Sequence, residues 1–264
     1  MVKQAIIVAA GQGRRLWPYT RNVPKCLLRV GGKSLLEHQV EALLSQEVKQ
    51  IMVVAGYQAD KIYTVLGDRV RYITNRDFRE TSSMYSLWLA RESARDGFVV
   101  INGDVLFHVG ILRALLLSPH PDALAVDFQA TLGEEEMKVR VRGERVCALS
   151  KTLLDAHGEN VGMIKFSAEG SRILFATIEE LLRQGLRQVM IPYAVSAIAS
   201  TYPLAAVPVN GLPWIEMDFP EDYQRAREHI YPAIVQDLRS PAPSLSTCSS
   251  EPEPSMKCGQ EGER

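Results

Sequence analysis

The stretch Ala9-Ala10-Gly11-Gln12-Gly13-Arg14-Arg15-Leu16 puts two glycines and two arginines behind a short apolar run. Glycines let backbone N–H groups come close to phosphate oxygens, and arginines neutralise the charge. The dinucleotide fingerprint is not met, because Leu16 stands where its third glycine belongs. Taken alone, these residues read equally well as a strand-end turn with solvated arginines. Pro24-Lys25-Cys26-Leu27-Leu28 holds a lysine between a proline and apolar neighbours. Gly32-Lys33-Ser34 is not the end of a P-loop, since Leu27 occupies the place of the required earlier glycine. Two acids come much later in the chain. Asp104 follows Val99-Val100-Ile101-Asn102-Gly103, and Asp218 lies in Trp214-Ile215-Glu216-Met217-Asp218-Phe219-Pro220. Each alone reads as a turn or helix-cap aspartate. With the glycine loop they read as a pair for Mg2+, which takes carboxylate and triphosphate oxygens. Glu216 is a third candidate ligand.

Such a set suits transfer at phosphorus, which needs in-line positioning and charge neutralisation more than a nucleophilic side chain. None of the 5 histidines (His38, His108, His120, His157, His229) sits in a catalytic motif. The 4 cysteines, Cys26, Cys147, Cys248 and Cys258, show no C-x-x-C spacing. A zinc site or disulfide framework is not expected, and a reducing cytoplasm is the expected home. With 30 Lys+Arg against 31 Asp+Glu the formal charge is -1, which argues against a nucleic-acid partner. No run of about 18 apolar residues predicts a membrane span. The apolar N-terminus leads into Gly11-Gln12-Gly13-Arg14-Arg15, so a buried strand is expected there and not a signal peptide.

The elements that must position these residues alternate. Strands are predicted at 4–10, 50–54, 70–74 and 98–101. Helices are predicted over 35–44, 59–66 and 83–94, the first capped by the Ser34/Glu37 pair. Gly31-Gly32 reads as a turn. This alternation predicts an α/β fold with right-handed crossovers and a parallel sheet covered on both faces. After Asp104 the rhythm changes. Strands are predicted at 123–128, 138–142, 146–150, 162–166 and 204–209, with a hairpin turn at Gly143, and helices over 173–186 and 221–234. The domain is placed at 1–237, with a β-rich insertion at about 128–167. The Ser- and Pro-rich stretch 238–264 is expected to be a disordered tail.

The glycine motif with Pro24-Lys25-Cys26-Leu27-Leu28 and Gly32-Lys33-Ser34-Leu35-Leu36-Glu37 resembles the nucleotidyltransferase family that includes the sugar-1-phosphate nucleotidylyltransferases. Asn75-Arg76-Asp77 through Thr81-Ser82-Ser83-Met84-Tyr85-Ser86-Leu87, with Lys138-Val139, Leu149-Ser150-Lys151 and Gly158-Glu159-Asn160-Val161-Gly162, is similar to phosphocholine-type and phosphonate-type cytidylyltransferases. Ser82 and Ser83 stand where that subgroup commonly has two asparagines. The resemblance covers roughly residues 4 to 230.

It implies a Rossmann-like three-layer α/β/α fold of the nucleotide-diphospho-sugar transferase type. The expected sheet is mixed but mostly parallel, with a small β-rich acceptor-binding region. It implies an enzyme that moves CMP from CTP to a small phosphorylated or phosphonate alcohol and releases pyrophosphate. A sugar-1-phosphate or inositol-1-phosphate nucleotidylyltransferase is the alternative, and a non-catalytic nucleotide-binding regulator is the alternative of another class. Lys25, Arg15 and Asp104 are implied as catalytic, and Asp104 and Asp218 as Mg2+ ligands. Ala9, Ala10, Gly11, Gln12, Gly13, Arg14, Gly56, Tyr57, Ser82, Ser83 and Gly103 would frame the nucleotide. Lys138 and Lys151 would take the acceptor's phosphate. An aromatic cage from Tyr85, Trp88, Tyr193 and Trp214, or an ion pair from Glu159, would hold its other end. A second copy of the chain is a candidate partner.

Overall fold

Gln4 to Ala9 is apolar on both faces and forms β1 (Gln4–Ala9). Successive side chains of a strand face opposite ways, so Ile7 packs into one core and Ile6 into the other. The structure, a computed structural model, describes residues 2–239. The Gly31-Gly32 turn, with positive φ at both residues, joins the short strands β2 (Arg29–Val30) and β3 (Lys33–Ser34). The Ser34/Glu37 cap forms as expected. Glu37 N donates to Ser34 Oγ at 3.2 Å, and Ser34 N donates to Glu37 Oε2 at 2.8 Å, which starts α1 (Leu35–Ser45).

The chain then alternates through β4 (Gln50–Ala55), α2 (Ala59–Leu66), β5 (Arg71–Thr74), α3 (Ser83–Leu89) and β6 (Phe98–Asn102). The order β5-β4-β1-β6 is parallel throughout. The expected helix to Ala94 ends at Leu89 and resumes as a 3-10 turn, Arg91–Ala94.

The second half was less legible. β7 (Val105–Phe107) and α4 (Val109–Leu117) lie where no element is predicted. β8 (Ala123–Asp127), β9 (Lys138–Arg142) and β10 (Arg145–Ser150) fall close to the predicted strands. β11 (Gly158–Phe166) starts before the expected Gly162, and α5 (Ala168–Arg183) starts before the expected Ile173. Gly170, in the first turn of α5, masks the helix pattern. It is glycine because a Cβ there would lie 1.9 Å from Asp122 Oδ1. α6 (Ile191–Ala199) was missed, and β12 (Ala205–Pro208) was placed within a residue. β13 (Trp214–Glu216) pairs with β7. The last helix comes in three pieces: α7 (Pro220–Arg225), a π turn (Ala226–Ile230) and α8 (Tyr231–Arg239). The predicted tail therefore begins inside α8, and its residues from 240 onward lie outside the described residues.

The main sheet runs β5-β4-β1-β6-β11-β8-β12-β10-β9. From β6 onward it is mixed, because β11 runs antiparallel to both β6 and β8. The β-rich stretch is continuous with this sheet: β11 sits in its middle, and β9 and β10 form its edge. Val40, Leu43, Ile62 and Leu112 cover one face. Met84, Leu87, Leu174 and Val195 cover the other. Each such burial contributes roughly 1.5–3 kcal/mol. A third cluster, with Leu16, Leu28, Leu35, Ile215 and Met217, ties the glycine loop to the segment before Asp218. Among the described residues, no helix is long and apolar enough to cross a membrane.

Candidate active site

Parallel strands leave their carboxyl ends open to ligands, and β1 ends between two close neighbours. A Cβ on Gly56 would meet Ala10 O at 2.7 Å, and one on Gly103 would meet Ala9 Cβ at 2.9 Å. These glycines let the adjoining loops close on the strand end. Gly13 is left-handed (φ 63), and a Cβ there would press on Lys25 Cβ at 2.9 Å. Buried Thr20 donates its hydroxyl to Gly13 O at 2.6 Å and fixes the loop.

Lys25 sits on a single 3-10 turn after Pro24. Its ammonium lies 2.8 Å from Asp104 Oδ2 and 2.5 Å from Asp218 Oδ1, with its side chain 13% exposed. The two acids meet because β7 pairs antiparallel with β13 and Met217 N donates to Asp104 O at 3.0 Å. Buried Gln39 braces the same turn from below, donating its amide to Asn102 O (2.9 Å) and Val105 O (2.8 Å). Asp218 is not the helix cap. That role falls to Asp222, whose Oδ2 accepts from Asp218 N and Phe219 N. The Asp218 side chain is left for Lys25 and for Arg15 Nη2 at 2.7 Å.

Burial disfavours charge on Lys25, but Asp104, Asp218 and Glu216 outweigh it and push its pKa up. Burial likewise opposes charge on Asp218, yet Lys25 and Arg15 hold its carboxyl below the usual range. For Glu216, Lys25 pulls the same way but is outweighed. Burial first, then Asp104 and Asp218, push it up to about 8, and its Oε1 accepts from Asn102 Nδ2 at 3.4 Å.

Two adjoining cavities share Glu135, Glu216 and Asp218. One, of about 390 Å³, is lined by Ala10, Gly11, Gly13, Arg14, Arg15 and Lys25 on one side. Ser82, Ser83, Asp104 and Lys151 close it. The predicted Ala9, Gln12, Gly56, Tyr57 and Gly103 do not line it. Ala9, Gly56 and Gly103 pack behind it, and Tyr57 N and Oη bond to Ala10 O and Arg21 O. Gln12 accepts from Arg14 Nε. Ser83 Oγ is engaged by Ile191 N at 3.0 Å. Sequence reasoning missed Asn102 and Asn160, which line this cavity and stand beside the quoted motifs.

The other cavity, of about 500 Å³, is acidic. Asp127, Glu136, Glu159 and Asp222 line it with Trp214 and one guanidinium, Arg225. Trp214 Nε1 donates to Asp127 Oδ2 at 2.8 Å. Burial, then Glu136 and Asp127, push Glu159 up to about 7. The proposed aromatic cage does not assemble. Tyr85 stacks on Trp88 at 5.6 Å, beneath Arg187, with its hydroxyl on Asp77. Neither it, Trp88 nor the exposed Tyr193 lines either cavity. Lys151 reaches the smaller cavity, beside Lys25 and Arg15. Lys138 does not; its ammonium donates to Lys151 O at 2.5 Å and so steadies Lys151. No histidine lines either cavity.

Among the described residues, no three His, Cys, Asp or Glu side chains cluster to hold a metal, so Glu216 does not complete a set with Asp104 and Asp218. The two aspartates still fit Mg2+. Asp104 Oδ1 is buried with no hydrogen-bond partner, and Mg2+ is commonly held by one or two carboxylates plus substrate phosphates and water.

Known proteins resemble the chain in sequence and in fold. Residues 5–193 match the MobA-like NTP transferase domain model. The chain is 27% identical over 247 residues to the bifunctional IPC transferase and DIPP synthase of Aquifex aeolicus, covering 90% of this chain and 54% of that protein. It is 36% identical over 107 residues to the choline-phosphate cytidylyltransferase of Streptococcus pneumoniae, covering 39% of this chain and 46% of that one. The aligned regions thus span about half the length of each relative. The fold matches the inositol-1-phosphate CTP transferase of T. maritima with a TM-score of 0.76 at 21% identity, over 90% of this chain and 97% of that one. The family-model match, over residues 5–193 and so well over half of the chain, shows that the chain belongs to the MobA-like NTP transferase domain family.

Proposed function

We propose that this chain is a Mg2+-dependent cytidylyltransferase that joins CMP from CTP to a small phosphate or phosphonate acceptor carrying a cationic end. The observation that carries this reading is Lys25, held between Asp104 and Asp218 where a cation-lined cavity meets an acidic one. The triphosphate would lie over Gly11 and Gly13, with Arg15 and Lys25 on its phosphates. An anionic acceptor oxygen attacks the α-phosphorus, the new P–O bond forms, and pyrophosphate leaves with the old one. The acceptor oxygen is already charged, so no side chain need remove a proton. Lys25 and Arg15 neutralise the charge that builds up in transfer. Asp104 and Asp218 would hold Mg2+, which when bound neutralises triphosphate oxygens.

Lys151 would take the acceptor's phosphate. The carboxylates around Trp214 suit a choline or aminoethyl group at its other end. CTP is favoured over other triphosphates by the relatives named above. The test is pyrophosphate release across a panel of triphosphates and acceptors. Turnover is expected with CTP and phosphocholine or 2-aminoethylphosphonate. Turnover with a hexose-1-phosphate and with neither of these would overturn the reading.

Glu159 adds a pH signature. Its pKa, raised to about 7, means that it gains a proton as pH falls from 8 to 6. An acceptor cation then loses its counter-charge, so the acceptor KM should rise on the acid side. Glu159→Gln should raise the KM for 2-aminoethylphosphonate, whose ammonium can donate to it, by about tenfold at pH 8, as loss of a charged hydrogen bond does, and flatten the profile. The acceptor's own phosphate titrates identically with both enzymes, so the difference between their profiles isolates Glu159. Parallel profiles would remove Glu159 from acceptor binding.

A further inference from the structure

Glu135 belongs to no strand or helix; it lies on the connection between β8 and β9. One of its oxygens, Oε2, accepts from Arg15 Nη1 at 2.9 Å and from Lys151 Nζ at 2.9 Å. The residue lines both cavities. It therefore joins the glycine loop to the β10–β11 connection across the place where the two substrates must meet. Its two partners differ in what else holds them. Arg15 keeps a second anchor on Asp218 and stands over the Phe219 ring at 4.9 Å. Lys151 has its backbone carbonyl held by Lys138, while its ammonium has Glu135 as its one ion-pair partner among the described residues.

A phosphate oxygen brought to either cation competes with the Glu135 oxygen for the same N–H donors and repels it, and that one oxygen makes both contacts. We propose that Glu135 is a coupling residue: a displaceable counter-ion shared by the triphosphate's cation, Arg15, and the acceptor's cation, Lys151. Whichever anion binds first displaces Glu135 from both cations. The second anion then meets a cation already released. Such coupling is reciprocal. For an exposed pair it is worth about two- to fivefold in affinity. Direct repulsion between the two bound anions opposes it, but is the same with or without Glu135.

The inference rests on the proposed placement of two anions at Arg15 and Lys151, and its test needs no turnover. Inorganic phosphate is titrated calorimetrically into the full chain with and without Mg2+ and tripolyphosphate, for the wild type, Glu135→Gln and Lys151→Met. Glu135 is on the surface, its side chain 54% exposed, so the glutamine variant is expected to fold. Glu135→Gln should bind phosphate alone about two- to fivefold more tightly than the wild type. The gain in phosphate affinity caused by tripolyphosphate should shrink by the same factor. With Mg2+ and tripolyphosphate filling the Arg15 side, Lys151→Met should lose the phosphate-dependent heat. Equal coupling in the wild type and Glu135→Gln, or phosphate binding that survives in Lys151→Met with tripolyphosphate present, overturns the proposal. A different nucleotide or acceptor emerging from the panel would leave this measurement standing, and loss of coupling would leave the panel's result standing.

Discussion

Lys25→Met should lower kcat for pyrophosphate release by about 10²–10³-fold, the usual cost of removing one group aimed at developing transition-state charge. Methionine keeps the unbranched stem and discards the charged end, so packing of the stem against Gly13 survives. Lys25→Arg should recover only part of the loss, because a planar guanidinium cannot take the place of a compact ammonium between two carboxylates. The variant should also show a stability signature. Lys25 offsets three acids, Asp104, Asp218 and Glu216. Without it they remain partly buried beside one another, at a cost of about 3 kcal/mol if all stay charged. They can relieve this by taking up protons. Asp218, whose pKa is lowered in the wild type by Lys25 and Arg15 against its own burial, then titrates higher. The folded variant therefore binds more protons than the unfolded chain above about pH 4. By linkage, its stability falls as pH rises from 5 to 8. Thermal unfolding at the two ends of that range measures the effect. A variant that retains more than a tenth of wild-type kcat would take Lys25 out of the reaction.

The parallel half of the molecule could be read from the sequence because its information is local. Apolar strands, helix-spaced leucines and the Ser34/Glu37 cap each lie within one element, and the structure keeps their bounds to within a residue or two, except that the helix expected to Ala94 ends at Leu89. Gly11, Gly13 and Lys25 were readable for the same reason, since a glycine turn and a proline-braced lysine announce themselves over a few residues. What was not readable depends on contacts between distant segments. β7 is only three residues long and is stabilised by β13, more than a hundred positions away; nothing within Val105-Leu106-Phe107 calls for a partner. α6 carries little polar residue spacing and starts at Ile191-Pro192, so its apolar run gave no periodic signal. Tyr85 and Trp88 share a helix face, as their spacing implied, but that face is claimed by Arg187 and Asp77. Lys138 looked interchangeable with Lys151 until the structure showed its ammonium spent on the Lys151 carbonyl. Glu135 sits in a run of three glutamates with no motif around it. Only the fold shows which of the three reaches both Arg15 and Lys151.

Asp104→Asn should raise the Mg2+ concentration needed for half-maximal activity by tenfold or more and lower kcat at saturation, while the protein stays folded. The two aspartates differ in what their oxygens already do. Both oxygens of Asp218 are engaged, Oδ1 by Lys25 and Oδ2 by Arg15. Asp104 gives Oδ2 to Lys25 and keeps Oδ1 buried without a partner. An oxygen withdrawn from water and left unbonded costs about 1–3 kcal/mol, and a cation bound there would offset that cost. The turn that carries it is fixed by the Gln39 amide and by Met217 N, neither of which asparagine disturbs. The isosteric change therefore alters charge and donor strength while the backbone stays in place. Asp218→Asn should act differently, lowering kcat through its ties to Lys25 and Arg15 with a smaller change in Mg2+ requirement. Titrating Mg2+ against activity for both variants separates these outcomes, with thermal unfolding as the check on folding. An Asp104→Asn enzyme with an unchanged Mg2+ half-saturation would show that the unbonded oxygen is not where the cation binds. The proposed charge arrangement around Lys25 would then have to work without a metal at Asp104.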